Sequence, residues 1–227
     1  MNTVQGVELS FGQLVERATV LAGRGRRALL GITGAPGAGK STLAERLVDE
    51  LGEETAVFVP MDGFHLANRE LVALGRLDRK GAHDTFDGWG YAALLRRLRD
   101  QRVRAAQGDE GIVYAPQFRR DLEEPVGSAI PVRPEVPLVV TEGNYLLLEG
   151  AAWTHARETI DEVWFLAPDE SQRLAQLIAR HERYGRSPEE AKERSLGSDQ
   201  RNAELISSTA SRADLVVTLT DRLAELS

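Results

Sequence analysis

Residues 31–41 read GITGAPGAGKS. A short apolar run, Ala28–Ile32, leads into this stretch. A helical pattern leaves it from Ser41 to Leu51, with Leu43, Leu47 and Leu51 on one face. Four glycines and a proline between a strand and a helix mark a backbone that has to bend tightly and stay uncovered. Gly34, Gly39, Lys40 and Ser41 meet the spacing G-x-x-x-x-G-K-[ST]. The chemistry demands that spacing. Glycines let main-chain amides curl around phosphate oxygens, the helix start adds its positive end, the lysine reaches the outer phosphates and the hydroxyl serves a metal ion. Gly34, Ala35, Pro36, Gly37, Ala38, Gly39, Lys40, Ser41 and the adjoining Thr42 are therefore the expected nucleotide-binding residues, with Ser41 as a metal ligand. The alternative, a glycine turn merely capped by serine, does not account for the lysine.

Working outward, strand patterns at Ala56–Pro60, Leu138–Thr141, Val163–Ala167 and Leu215–Leu219 alternate with helical patterns at 8–22, 91–107, 168–184 and 188–208. A short helix is expected at the C-terminus. Gly111–Tyr114 reads as a further extended piece, and 118–134 as a loop or short hairpin. This alternation predicts a three-layer α/β P-loop NTPase sandwich with a mostly parallel sheet. It also predicts a single domain over 1–227 and a helical lid within 168–190. The stretch 63–90 is long, polar and irregular, which in a compact domain points to function.

Composition narrows the classes. There is no cysteine, which removes disulfides, thiolate metal sites and cysteine nucleophiles. The net charge of -7 and the lack of a basic stripe speak against a nucleic-acid partner. Apolar runs are far too short for a membrane span, and the N-terminus does not read as a signal peptide, so a cytoplasmic location is expected.

Four further stretches carry candidate chemistry. In MDGFHL, Asp62 follows a strand and is placed to accept a substrate hydroxyl proton or to hold a metal-bound water; His65, three residues on, is a candidate substrate contact. In VVTEGNYLLL, Glu142 ends an apolar strand where a metal-organising acid emerges; Asn144 and Tyr145 follow as substrate-facing candidates. Arg173, Arg180 and Arg183 fall near one side of a helix. Arg180 and Arg183 are expected to neutralise a transferring phosphoryl group, and Arg173 to touch the nucleotide. Arg79 and Lys80 in the 76–86 segment, Tyr114 and Arg119 in YAPQFRR, and Asn202 in SDQRNAELI are candidate walls of an acceptor site. His155 reads as structural or exposed.

Taken in order, GAPGAGKS, MDGFH, LDRKGAHDTFD, VVTEGNYLLL and RHERYG resemble the P-loop kinases of the uridine kinase and bacterial pantothenate kinase group, within a branch of nucleoside/nucleotide kinase-like, fructose-transport-system kinase-like proteins. The resemblance spans most of residues 25–219. It implies transfer of a phosphoryl group from ATP, with Mg²⁺, to a hydroxyl of a small metabolite. In that frame Asp62 is the base, Lys40 and Ser41 hold phosphate and metal, Glu142 supports Mg²⁺, and Arg180 with its neighbours belongs to the lid. A homodimer is a further implication. Uridine kinases carry a histidine near Arg119 and an acid after the tyrosine; here Tyr114 is followed by alanine, which weakens a nucleoside assignment and leaves nucleosides, pantothenate-like compounds, sugars and polyols open. The competing reading is a nucleotide-binding regulatory ATPase module without small-molecule kinase activity.

Overall fold

The computed structural model describes residues 6–105 and 111–221. Six strands form one sheet: β1 (Val7–Leu9), β2 (Ala28–Thr33), β3 (Ala56–Phe58), β6 (Leu138–Glu142), β7 (Glu162–Leu166) and β8 (Leu215–Leu219), in the order β1-β8-β7-β2-β6-β3. Every pairing is parallel. A separate antiparallel hairpin, β4 (Val113–Arg119) with β5 (Glu124–Val132), stands beside the sheet.

Neighbouring residues on the central strands alternate between two cores, as a sheet buried on both faces requires. Leu29, Val139 and Val163 point into a core with Tyr91, Leu95 and Trp153. Leu30, Val140 and Trp164 point into the other, with Leu14, Leu43 and Leu47. The first core is covered by α4 (Gly88–Ala105), α5 (Ala151–Thr159) and the end of α8 (Ser198–Ser207); the second by α1 (Phe11–Ala22) and α2 (Lys40–Leu51). The three-layer α/β architecture is thus present, and its sheet is wholly parallel.

Three expectations are corrected in detail. The leading helix starts at Phe11, because Val7–Leu9 pairs with Val217–Leu219 as an edge strand and Ser10 closes a capping box with Gln13. The helix expected over 188–208 is two helices, α7 (Pro188–Leu196) and α8, broken at Gly197. The irregular stretch 63–90 contains a short helix, α3 (Asn68–Ala73), and three 3₁₀ turns at Met61–Phe64, Leu77–Arg79 and His83–Thr85. The helix expected at the C-terminus lies outside the described residues, as does the end of the helix expected to run to Gln107. No helix among the described residues is long and apolar enough to cross a membrane.

Candidate active site

The carboxyl ends of β2, β6 and β3 lie side by side, and each delivers one part of the site. β2 runs into the glycine loop. Gly34, Gly37 and Gly39 have positive φ, and Gly39 begins α2 with no side-chain cap, so the first amides of the helix are left for a ligand. Gly37 has a second reason to be glycine. A Cβ there would lie 2.7 Å from the Arg173 carbonyl oxygen and 2.8 Å from Leu177 Cβ, so helix α6 (Glu170–Arg183) sits directly on the loop.

β6 delivers Glu142, which is buried and accepts from Ser41 Oγ at 3.2 Å. β3 leads into the 3₁₀ turn that carries Asp62. A buried chain of hydroxyls locks these two strand ends together. Tyr91 donates to Thr141 Oγ1 at 2.8 Å, and Thr141 donates to the Val59 carbonyl at 2.6 Å.

Electrostatics bind the three parts into one unit. Lys40 is buried, its Nζ donates to the Ala35 carbonyl at 3.1 Å, and burial pulls its pKa down to about 8 against the attraction of Glu142. Burial, then the neighbouring Asp62 carboxylate, push the Glu142 carboxyl well above the usual glutamate range, while Lys40 and the Ser41 hydrogen bond oppose them. His65 donates through Nδ1 to the Asp62 carbonyl at 2.8 Å, and burial holds it below the ordinary histidine value. Its ring packs between Phe86 and Phe118, with centroids 4.0 and 4.8 Å away.

A cavity of about 600 Å³ opens over the loop. Gly37 to Thr42 line it together with Gln172, Gln176, Arg180, Arg183 and Tyr184 of α6 and its end, and Arg120, which lies over the Tyr184 ring. Leu166, Pro168, Thr218 and Leu219 extend it along the sheet edge.

The oxygen donors at the loop are Ser41 Oγ, Glu142 and the nearby Asp62. That set suits a hard divalent ion such as Mg²⁺, which takes one or two carboxylates and completes its shell with water and phosphate oxygens.

The structure does not bring all the expected residues to the cavity, and Asp62, His65 and Glu142 lie outside its lining. Arg173 is 2% exposed and faces the protein. It forks onto Glu170 at 2.7 and 2.6 Å, donates to the Pro36 carbonyl at 2.7 Å and to Gln200 at 2.8 Å, so it touches the loop from behind. Tyr145 is fully buried in the aromatic cluster with Phe86 and Trp153 and donates to the Gly81 carbonyl at 2.6 Å. Asn144 accepts from Thr33 Oγ1 through its carbonyl at 3.3 Å. Tyr114 stands exposed on the outer face of the hairpin. Arg119 is closed onto Asp121, and Arg79 onto Asp84, both outside the cavity. Lys80 bonds Asn68 Oδ1 at 2.7 Å and the Glu123 carbonyl at 2.5 Å, and lies over Phe118. It fastens the 76–86 segment to the hairpin. Asn202 is half-buried on α8, and its neighbour Asp199 is held by His181 at 2.7 Å. His155 is exposed and bonds the Ala151 carbonyl.

One residue not singled out from sequence does reach the site. Arg120 Nη2 lies 3.9 Å from Asp62 Oδ2. Its signal was the dipeptide Arg119-Arg120 followed by Asp121: one arginine is paired locally, which leaves the other for the cleft.

A parallel α/β sandwich with a glycine loop after β2, acids at the ends of the two adjoining strands and an arginine-bearing helix over the loop defines the P-loop kinase class. The chain belongs to the phosphoribulokinase / uridine kinase family, matched over residues 29–223. A Schizosaccharomyces pombe protein provisionally named a uridine kinase is 32% identical over 218 residues, covering 92% of this chain and 90% of that one. The Escherichia coli protein YggC, named as uncharacterized, is 34% identical over 201 residues, covering 86% and 79%. Among solved structures, a Silicibacter protein provisionally named a fructose transport system kinase superposes with a TM-score of 0.77 at 31% identity, covering 92% of this chain and 98% of that one. Family and fold are those of ATP-dependent small-molecule kinases; the names of the relatives do not agree on an acceptor.

Proposed function

We propose that the protein transfers the γ-phosphoryl group of ATP, with Mg²⁺, to a hydroxyl of a small metabolite. The observation that carries this reading is a carboxylate, Asp62, close enough to Lys40 and Glu142 to perturb both and 3.9 Å from Arg120, which lines the cavity over the loop together with Arg180 and Arg183. A regulatory ATPase module has no need of a carboxylate held at the acceptor side of the loop.

In this mechanism the loop amides and Lys40 bind the β- and γ-phosphates, and Ser41 and Glu142 are the residues that would hold a Mg²⁺ ion, which would supply neutralisation of phosphate charge. Asp62 orients the acceptor hydroxyl in line and takes its proton as the new O–P bond forms. The bond between the γ-phosphorus and the β–γ bridging oxygen breaks, and its electron pair leaves with ADP. Arg180 and Arg183 neutralise charge on the oxygens in transfer, and the end of α6 excludes water from the acceptor's place.

A pooled assay tests this. The protein is incubated with Mg-ATP and pools of nucleosides, pantothenate-like compounds, sugars, polyols and hydroxy acids, and mass spectrometry reads products one phosphoryl group heavier. A product that forms only with enzyme, acceptor and ATP together is expected. ATP hydrolysis that no metabolite in the pools converts into transfer would instead support the regulatory reading.

A further inference from the structure

Several arginines outside the cavity lining are held by carboxylates. Arg119 is forked onto Asp121, Arg79 onto Asp84, Arg99 and Arg26 onto Asp161, and Arg173 onto Glu170. Arg120 is different. Among the described residues it donates no hydrogen bond; its neighbours there are the Asp62 carboxylate at 3.9 Å, beyond hydrogen-bond reach, and the face of the Tyr184 ring, 5.4 Å from Cζ to centroid. It lines the cavity, and 39% of its side chain is exposed.

Its position is fixed. The Asp62 turn and the hairpin are in backbone contact, since a Cβ on Gly63 would lie 2.4 Å from the Pro116 carbonyl oxygen. Phe118, from the same strand, packs on His65, and Lys80 ties the hairpin to α3 through Asn68. A guanidinium whose ion pair to Asp62 is too long for a hydrogen bond is therefore held beside the carboxylate assigned to the acceptor's proton. Through Tyr184 it also meets the end of α6, whose Arg180 and Arg183 line the same cavity.

Resting on the kinase reading above, we propose that the acceptor is an anion, a small hydroxyl-bearing carboxylate or phosphate monoester, and that Arg120 binds its anionic group while Asp62 faces its hydroxyl. The planar fork of a guanidinium matches both carboxylate and phosphate oxygens two at a time. A neutral nucleoside or sugar leaves that fork unbonded in a partly desolvated cleft, which costs affinity.

The test runs four arms with Mg-ATP: hydroxy acids, sugar and polyol phosphates, neutral sugars and polyols, and nucleosides. Product in one of the first two is expected, and which one separates a carboxylate from a phosphate source. On the acceptor so found, Arg120→Met is expected to raise KM for the acceptor by roughly tenfold or more, with KM for ATP changed by less than about threefold. Arg120→Lys should recover part of the loss. The uncharged counterpart of that acceptor, its amide or dephosphorylated form, should be a poor substrate for the wild type. Efficient use of a neutral acceptor, or an Arg120→Met effect confined to ATP, would overturn the anionic acceptor and leave the kinase reading standing. No product in any arm would overturn both.

Discussion

Lys40 and Glu142 are two buried charges kept for a ligand. Alone, each is costly to desolvate, and each is pushed toward its neutral form by burial. The sign for Glu142 follows from this. Its folded-state pKa lies above the unfolded value, so its contribution to stability is present at acid pH and lost as pH rises through the raised value. Metal binding runs the other way, because the ion needs the carboxylate ionised. Apparent Mg²⁺ affinity is therefore expected to weaken as pH falls, approaching roughly tenfold per unit on the acid side of the Glu142 value. A Mg²⁺ titration of turnover between pH 8 and 6 measures this. Glu142→Gln provides the baseline for protonation of ATP itself and should show a weaker affinity with a shallower slope. Equal slopes in the two proteins would remove Glu142 from the metal site.

At the same scale, the glycine loop was fully legible because its chemistry is local: glycines, lysine and hydroxyl act within eight consecutive residues. Arg119 and Arg120 were not separable in that way. Which of two adjacent arginines turns into the cleft depends on Asp121 capturing the first, and on a hairpin whose partner strand begins at Glu124.

Among elements, α6 is the one joined most directly to the loop. Arg173 carries that joint through the Pro36 carbonyl, and Gly37 allows the backbones to touch. Truncating this buried arginine leaves Pro36 O, Gln200 and a carboxylate without their partner. Arg173→Met is expected to destabilise the protein by about 1–3 kcal/mol, as loss of a buried arginine's hydrogen bonds to Pro36 O and Gln200 does, the exposed Glu170 being left to water. It should also raise KM for ATP, since the loop loses its backing. Thermal unfolding and steady-state kinetics read the two effects; a variant with unchanged stability and unchanged KM would contradict the role given to the joint. The helical periodicity that placed Arg173 with Arg180 and Arg183 was sound, but periodicity reports a face and not what covers it. Here Arg173 is covered by the loop and by α8, while Gln172, Gln176, Arg180 and Arg183 of the same helix line the cavity. The long strands and helices were likewise readable from their patterns. The three-residue strand β1 was not, because it exists only through its pairing with β8, more than 200 residues away in sequence.

Across the whole molecule, the nucleotide end and the acceptor end have different origins. The first is one strand–loop–helix unit. In the proposed reading the second is assembled from the 61–64 turn, the 76–86 segment, the hairpin and the end of α6, segments brought together by contacts such as Gly63 on Pro116 and Lys80 on Glu123. Tyr114 and Tyr145 illustrate the consequence: one stands outside the hairpin and the other inside the core, although both were expected at the acceptor. Asp62 is where the two ends meet, and the account depends on it most. The most direct measurement compares Asp62→Asn with the wild type for ATP binding and for acceptor phosphorylation under single-turnover conditions. The account predicts ATP affinity within about threefold and a loss of phosphoryl transfer of roughly 10²-fold or more. Transfer at near wild-type rate with the same acceptor would contradict the assignment of Asp62 as the group that takes the hydroxyl proton.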